Sequence, residues 1–262
     1  MASLAGRTAL VTGSVAGLGY AIARALAAEG ANLVLNGLCP PAEGEAVAAA
    51  LAAETGAAVV FDPADLRDPA EIARMAEQAA ARFGGVDIVV NNAVVRHFAA
   101  VEDLSPADWD MEIAVNLSAA FHLARLTLPG MKRRGWGRIV NLASVFARRG
   151  TAERVGYVTT KTALLGLTRA IAAETARTGV TCNAISPGTV PSPAILERIA
   201  ASAAASGREE AEVAAEYVAA RHPTGRFVAM ESVGALAAFL CGPAGADITG
   251  ANLAVDGGWT AA

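Results

Sequence analysis

The chain has 262 residues, which is enough for one α/β domain, or two small ones, with a sizeable core. Its net charge of −4 and the lack of a long Lys/Arg run exclude the basic surface typical of nucleic-acid-binding proteins. No apolar run reaches the length of about 18 residues that a membrane span requires, and no basic segment followed by an apolar one indicates export. We therefore expect neither nucleic acid nor a membrane as a partner.

The three cysteines, Cys39, Cys182 and Cys241, are odd in number and far apart in the chain. Without a CxxC spacing they predict neither a disulfide framework nor a zinc site. We expect no bound metal and a reducing, cytoplasmic location.

Short apolar runs alternate with longer helical stretches along most of the chain. The runs are nearly continuous in apolar residues and end at Gly, Asn, Asp or Pro, as expected for parallel strands covered on both faces. Predicted strands span residues 8–12, 32–35, 58–61, 86–90, 138–142, 181–185 and 252–255. Predicted helices span residues 18–29, 42–55, 69–83, 106–134 and 157–177, and Asp68-Pro69 and Ser105-Pro106 are typical of helix starts.

This alternation predicts an α/β fold: a single-domain doubly wound (Rossmann) parallel sheet of about seven strands with helices on both faces, over residues 1–262. Residues of about 190–222 interrupt the rhythm with an Ala-rich stretch, which we interpret as two short helices forming a flap over the site. An inert surface insertion is the alternative. Such sheets bind ligands outside the carboxyl ends of their strands, so the residues after each strand are the candidates for a site.

The first strand runs into a glycine-rich turn followed by a helix. Glycines there let the backbone approach a pyrophosphate, whose charge the helix N-terminus favours. A purely structural turn is the alternative, but the strand before and the helix after favour a phosphate loop. The candidate residues are Gly13, Ser14, Ala16, Gly17, Leu18 and Gly19.

The residue after the second strand bears on the choice between NAD and NADP. An acid there would hold the ribose 2′-hydroxyl and an arginine would favour a 2′-phosphate, but this chain has Asn36. Because no basic residue lies in the glycine loop, we predict NAD, with NADP as the alternative. Asp65, followed by Leu66 after the third strand, is placed to accept a hydrogen bond from the adenine amine or, alternatively, to cap the next helix.

Tyr157 and Lys161 are four residues apart on a predicted helix, so their side chains share one face. A free tyrosine is a poor base at neutral pH because its pKa is about 10, and a nearby ammonium favours the phenolate. The pair therefore indicates an acid/base site, whereas a core aromatic residue beside a surface lysine is the alternative.

Ser144 follows the fifth strand at the rim where a ligand is expected, and Asn116 lies inside the long fourth helix. A mid-helix Asn commonly satisfies only a local backbone group. A hydrolytic role for Ser144 is disfavoured, because His97, His122 and His222 are all distant from it in sequence.

Taken in order, these motifs resemble the short-chain dehydrogenase/reductase family over essentially the whole chain. The ordered set is the glycine loop, Asn91-Asn92-Ala93, Asn116, Ser144, Tyr157 with Lys161, and Pro187-Gly188. The resemblance implies that Tyr157 transfers a proton and Ser144 binds the substrate oxygen. Lys161 would bind the nicotinamide ribose, and Asn116 would hold a water of the proton relay. It also implies a homotetramer and cofactor contacts at Asn92, Ala93, Tyr157, Lys161, Pro187, Gly188, Thr189 and Val190.

Several scaffold stretches, including Thr224-Gly225-Arg226-Phe227-Val228, resemble the D-3-hydroxybutyrate dehydrogenase branch, which is NAD-dependent. Where that branch has glutamine, histidine and lysine for a small carboxylate, this chain has Arg96, Phe146 and Arg154, and Thr189 replaces a tryptophan. The candidate substrate-binding residues are Arg96, Phe146 and Arg154, together with Ser144 and Tyr157. Guanidinium groups suit carboxylates. Arg148 and Arg149 are interpreted as solvated rim charges.

We therefore expect an NAD-dependent oxidoreductase that moves a hydride between nicotinamide and a secondary alcohol or ketone, with a small anionic hydroxy or oxo acid as substrate. An NADPH-dependent carbonyl or 3-oxoacyl reductase is the alternative within enzymes. A non-catalytic, nucleotide-sensing binding protein is the alternative from another class.

Overall fold

A sheet of seven parallel strands forms the centre of the computed structural model, which describes residues 3–261. The doubly wound fold predicted from the alternating pattern is confirmed. All four residues of the first strand are buried, as expected for a sheet covered on both faces. The strands are β1 (Thr8–Val11), β2 (Asn32–Asn36), β3 (Val59–Asp62), β4 (Ile88–Asn91), β5 (Gly137–Leu142), β6 (Val180–Pro187) and β7 (Asn252–Val255).

The strand order is β3-β2-β1-β4-β5-β6-β7, so the chain reverses its winding direction between β1 and β4. Ala9 pairs with Leu33 on one side and with Ile88 on the other, which places β1 and β4 side by side at the reversal. In a doubly wound sheet the crevice outside the carboxyl ends at this point is where ligands bind.

Helices cover both faces of the sheet. Ala9 and Val11 pack into a core with the helices of residues 17–28, 41–55 and 230–241, whereas Leu10 points the other way into a core with those of residues 69–83, 119–134 and 155–175. The helices are α1 (Gly17–Ala28), α2 (Pro41–Thr55), α3 (Pro69–Phe83), α4 (Pro106–Ile113), α5 (Ala119–Arg134), α6 (Val155–Thr175), α7 (Pro193–Ser206), α8 (Glu210–Ala219) and α9 (Met230–Cys241).

The predicted helical stretch over 106–134 is confirmed, and Ser105 caps its start as expected. A π-helical turn at Ala114–Ser118 lies inside this stretch, between α4 and α5. No Pro or Gly in that turn indicates the change of helix type. Asn116 lies inside it and hydrogen-bonds the backbone of Val95, a partner that only the tertiary structure brings near.

Helix α9 is not among the predicted elements. Its residues are apolar with little periodicity, and it packs against α1 where a Cβ on Gly234 would lie 2.8 Å from the carbonyl oxygen of Ala21. The missing side chain therefore allows a close helix–helix approach. Residues 190–222 contain α7 and α8, the two short helices that the sequence predicts there.

Within residues 3–261, no helix combines the length and the hydropathy that crossing a membrane would require. Over the same residues, no group of three or more His, Cys, Asp or Glu side chains lies close enough together to bind a metal ion.

Candidate active site

A cleft of about 1000 Å³ opens at the carboxyl ends of the strands. It extends from the glycine loop at the winding reversal to the segment that contains α7 and α8. Most of the predicted site residues meet on its walls: Gly13, Ala16, Leu18, Gly19, Asn36, Asp65, Leu66, Asn92, Ala93, Arg96, Ser144, Phe146, Arg154, Tyr157, Lys161, Pro187, Gly188, Thr189 and Val190. Ser14, Gly17 and Asn116 do not line it.

The glycine loop leaves no room for a side chain at two of its glycines, Gly13 and Gly19. A Cβ on Gly19 would lie 2.1 Å from the carbonyl oxygen of Gly13, and a Cβ on Gly13 would lie 2.9 Å from the Cα of Ala93. No side chain caps α1, which begins at this loop and has no acid in its first turn. The free amide groups and the positive end of the helix dipole fit a pyrophosphate.

Hydrogen bonds tie the ends of β1 and β4 together beneath this loop. The hydroxyl of Thr12 accepts from the backbone amides of Asn92 and Ala93, each at 3.0 Å. The Asn92 amide group donates to the carbonyls of Thr12 and Gly13, at 3.0 and 2.8 Å. Thr12 thus supports the cofactor loop, although it was not among the predicted site residues.

The side chains of Ser14 and Asn36 are held by hydrogen bonds within the protein. The hydroxyl of Ser14 donates to the carbonyl of Val11 at 2.7 Å. The amide group of Asn36 donates to the carbonyls of Asp62 and Ala64, at 3.2 and 2.9 Å, and Asn36 is only 1% exposed. At this end of the cleft Asn36 therefore binds β3 and its following loop instead of offering a polar side chain.

Asp65 does not cap the next helix, because that position belongs to Asp68. Its carboxylate instead accepts from the guanidinium of Arg67, with the closest contact at 2.5 Å. This hydrogen bond is the main cause that lowers the pKa of the Asp65 carboxyl. Arg67 also lines the cleft, so the adenosine end contains a basic residue that is already paired.

Tyr157 and Lys161 lie side by side in the cleft wall on the first turns of α6. Tyr157 is 6% exposed, and the Lys161 Nζ is 5.8 Å from the centre of the tyrosine ring. Lys161 donates to the carbonyl oxygen of Leu142 at 2.5 Å. Burial, together with the nearby charge of Arg96, lowers the pKa of Lys161 to about 7.

Ser144 is at the carboxyl end of β5, where it caps a short 3₁₀ turn. Its hydroxyl oxygen accepts from the amide of Phe146 at 3.2 Å, which leaves its proton free for another acceptor. Ser144 thus shares the cleft wall with Tyr157 and Lys161.

Asn116 anchors a loop next to the cleft. Its side chain accepts from the amide of Val95 at 2.9 Å and donates to the carbonyl of Val95 at 3.0 Å. Both polar atoms of Asn116 are therefore bonded to the residue that precedes Arg96.

His222, which is distant from Ser144 in sequence, supports the opposite wall of the cleft. Its Nε2 accepts from the amide of Thr189 at 2.9 Å, and its Nδ1 bonds the carbonyl of Arg226 at 2.7 Å. This pattern requires the neutral tautomer with the proton on Nδ1. His222 also packs against Trp259, another lining residue that was not predicted. Trp259 follows β7 at the carboxyl edge of the sheet, and this position in the sequence could have identified it as a lining residue.

Aromatic and basic side chains form the substrate end of the cleft. The Phe146 ring lies between Tyr157 and Trp259, with centroid distances of 6.3 and 5.5 Å. The guanidinium carbon of Arg96 is 5.1 Å from the centre of the Tyr157 ring, and that of Arg154 is 5.7 Å from Phe146. Arg148 and Arg149 do not line the cleft.

A buried carboxylate packs behind the catalytic tyrosine candidate. Glu112 is 1% exposed and accepts from the amide of His97 at 2.6 Å. A Cβ on Gly156 would lie 2.5 Å from Glu112 Oε2. Gly156 directly precedes Tyr157, so Glu112 helps to determine where α6 places that side chain.

Comparison with known proteins identifies the class. A family model described as enoyl-(acyl carrier protein) reductase matches residues 13–260. The chain belongs to the short-chain dehydrogenase/reductase family, as its ordered motifs predict, and is an NAD(P)-dependent oxidoreductase.

Individual relatives are similar over nearly the whole chain. A D-β-hydroxybutyrate dehydrogenase of Cupriavidus necator is 45% identical over 98% of this chain and 99% of its own length. A D-β-hydroxybutyrate dehydrogenase of Rhizobium meliloti is 44% identical over 97% of this chain and 99% of its own length. The crystal structure of L-sorbose reductase from Gluconobacter frateurii, complexed with NADPH and L-sorbose, superposes with a TM-score of 0.95 at 28% identity and covers both chains completely.

Substituting Gly156 tests the packing behind Tyr157. We expect Gly156→Ala to lower the free energy of unfolding by about 1–3 kcal/mol, because the new methyl group overlaps a carboxylate that cannot reach solvent. Turnover should fall as well, since Tyr157 is the next residue. Denaturant titration and steady-state kinetics measure the two effects. Gly166→Ala on the same helix is the control: no atom lies within 4 Å of its Cβ, so it should be neutral or stabilising. Equal effects of both substitutions would refute the packing argument.

The pKa of Lys161 predicts a pH-dependent stability of the free enzyme. A lysine whose pKa is about 7 in the folded protein and 10.5 when exposed to water penalises folding fully below pH 7 and progressively less as the pH rises towards 10.5. The melting temperature of Lys161→Met minus that of the wild type should therefore be larger at pH 6.5 than at pH 9. Thermal unfolding at the two pH values measures this difference, and a value independent of pH would contradict the shift.

Proposed function

We propose that this protein is an NAD-dependent dehydrogenase that interconverts a hydroxy acid of the 3-hydroxybutyrate type and the corresponding oxo acid. The observation that carries the proposal is that Tyr157 and Ser144 share a cleft wall with the guanidiniums of Arg96 and Arg154. Two relatives at 44–45% identity are named D-β-hydroxybutyrate dehydrogenases, which supports this substrate class.

The chemistry requires a proton acceptor, a donor to the substrate oxygen and a place for the cofactor. In the oxidation direction the Tyr157 oxygen takes the proton of the substrate hydroxyl, and Ser144 donates to the same substrate oxygen. A nicotinamide held in this cleft would supply the hydride acceptor for oxidation and the hydride donor for reduction. Lys161, buried beside Tyr157, would hold the nicotinamide ribose.

Each of the remaining catalytic and substrate residues has a proposed place. Asn116 would fix the backbone of Val95 and thereby the position of Arg96, the next residue. A water of the proton relay bound at Asn116 would share the Asn116 side-chain amide with the backbone of Val95. Arg96 and Arg154 would bind the substrate carboxylate, and Phe146 would pack against the apolar part of the substrate. Thr189, held by His222, would face the nicotinamide with Pro187, Gly188 and Val190.

The cofactor loop fits a dinucleotide, and the adenosine end favours NAD. The Asn36 side chain is hydrogen-bonded to the protein backbone, and Arg67 is paired with Asp65. Among residues 3–261, no unpaired guanidinium therefore lies at this end of the cleft to bind a 2′-phosphate. An NADPH-dependent carbonyl reductase is the second candidate, because the structurally similar L-sorbose reductase is complexed with NADPH.

We propose further that residues 1–262 form one domain, in which residues of about 190–222 are a flap over the substrate. We also propose a cytoplasmic homotetramer, an assembly implied by the family resemblance. Phe121, on the helix that follows Asn116, is 49% exposed and would be covered in such an assembly.

The substrate and mechanism are tested together by comparing D-3-hydroxybutyrate with its neutral methyl ester. Tyr157→Phe should lower kcat with either compound by about 10²-fold or more, because the general base is lost. Arg96→Ala should lower kcat/KM for the acid about tenfold more than for the ester, since a charge-assisted hydrogen bond is lost.

Arg148→Ala is the matched control, because it removes an exposed guanidinium outside the cleft. Equal activity on acid and ester together with a silent Arg96→Ala would refute the carboxylate. An active Tyr157→Phe would refute the mechanism.

The cofactor choice is tested at Asp65. The wild type should show higher kcat/KM with NAD than with NADP, and Asp65→Asn should raise the ratio of NADP to NAD efficiency severalfold, because it frees the Arg67 guanidinium. The ratio cancels any change in adenine binding. Adding Arg67→Gln to Asp65→Asn should remove the gain, and a wild type that prefers NADP would overturn the NAD proposal.

A further inference from the structure

Four guanidiniums line the substrate side of the cleft, which is more positive charge than one carboxylate needs. They are Arg96, Arg154, Arg198 and Arg221. Asp65 is the only acid among the lining residues, and it lies at the adenosine end, paired with Arg67. Among residues 3–261, none of the four arginines forms an ion pair with a carboxylate.

The four arginines form two pairs. The inner pair, Arg96 and Arg154, lies beside Tyr157 and Phe146. The flap pair, Arg198 and Arg221, flanks Tyr217. The guanidinium carbon of Arg221 is 3.8 Å from the centre of that ring, and Arg198 donates to the Tyr217 hydroxyl at 2.5 Å.

The two pairs face the same space. Burial, repulsion from Arg96 and, more weakly, repulsion from Arg198 lower the pKa of Arg154. All four guanidiniums line the same cleft, so the flap pair borders the space in which we propose that the substrate binds. In the proposed function the pyrophosphate lies at the start of α1 and the adenosine lies beside Arg67, so neither is assigned to the flap pair.

Like charges that border one cleft repel one another, and an anion bound between them offsets that repulsion. One carboxylate can be held bidentately by the inner pair, and the flap pair then remains uncompensated. Tyr217 holds the flap pair by stacking and a hydrogen bond, which orients the charges without neutralising them.

We propose that the substrate carries two anionic groups: a carboxylate held by Arg96 and Arg154, and a second carboxylate or a phosphate held by Arg198 and Arg221. The inference rests on the proposed hydroxy-acid function and narrows it. The substrate class is a hydroxy acid, or its oxo acid, with a second anionic group at the other end.

The test compares substrates that differ in one charge at constant length. D-3-Hydroxybutyrate has one carboxylate, 3-hydroxyglutarate has two, and monomethyl 3-hydroxyglutarate has the longer chain with one. 3-Hydroxy-4-phosphooxybutyrate, which has a phosphate in place of the second carboxylate, shows which of the two anionic groups the flap pair prefers. We expect kcat/KM for at least one dianion to exceed that for the monomethyl ester about tenfold or more, as a charge-assisted contact would give.

Single substitutions of the flap pair locate the effect. Arg198→Gln and Arg221→Gln should each lower the ratio of dianion to 3-hydroxybutyrate efficiency about tenfold, by the same contact energy. Arg208→Gln is the matched control, since Arg208 is in the same segment but pairs with Glu216 and does not line the cleft. It should leave the ratio unchanged.

The outcomes separate this inference from the function on which it rests. If the wild type turns over the monomethyl ester and both dianions equally well, or if the flap substitutions leave the ratio unchanged, the second anionic group is refuted and the hydroxy-acid function stands. If neutral secondary alcohols are oxidised and no hydroxy acid is, both are refuted. The wild-type comparison decides the matter even if a variant fails to fold.

Discussion

The rest of the structure depends on the close approach of β1 and β4 where the winding direction reverses. A single hydroxyl, that of Thr12, accepts hydrogen bonds from two consecutive amides at the end of β4, and Asn92 bonds back to the end of β1. These side-chain hydrogen bonds hold the two backbones close together, and the turn between them has no room for side chains at Gly13 and Gly19. The narrow turn that we propose as the phosphate site is thus a consequence of how the two strands are tied.

The loop that leaves β4 transmits this geometry to the substrate end. It passes from Asn92, under the cofactor loop, to Val95, which Asn116 clamps through both backbone atoms. The next residue is Arg96, and the amide of His97 donates to the buried Glu112. Since Glu112 also packs against Gly156, the cofactor loop, the inner arginines and the helix that carries Tyr157 share one set of contacts.

Charge divides the cleft into two ends. At the adenosine end an acid and a guanidinium pair with each other, so the local charge is balanced. At the substrate end the guanidiniums have aromatic neighbours, Phe98, Tyr157 and Tyr217, in place of acids. Aromatic faces hold a guanidinium in place while its charge stays available to a ligand. The positive charge of the cleft is therefore concentrated near Tyr157 and Ser144, where we propose that an anionic substrate binds.

Patterns that repeat along the chain were enough to predict the sheet, the phosphate loop and the set of Ser144, Tyr157 and Lys161. Strand and helix periodicity are local properties, and parallel strands bring their carboxyl ends to one edge whatever their separation in sequence. Tyr157 and Lys161 could be paired because a helix fixes which residues share a face.

The tertiary structure alone decided the partners of buried polar groups. Asn116 lies in a π-helical turn of a predicted helix, Asn36 turns inward, and His222 supports Thr189 from 33 residues away. Arg198 and Arg221 line the same cleft as Arg154 only because the segment that contains α7 and α8 packs beside it. A buried hydrogen bond or an uncompensated charge depends on which groups meet in space, and that information is absent from the spacing of residues along the chain.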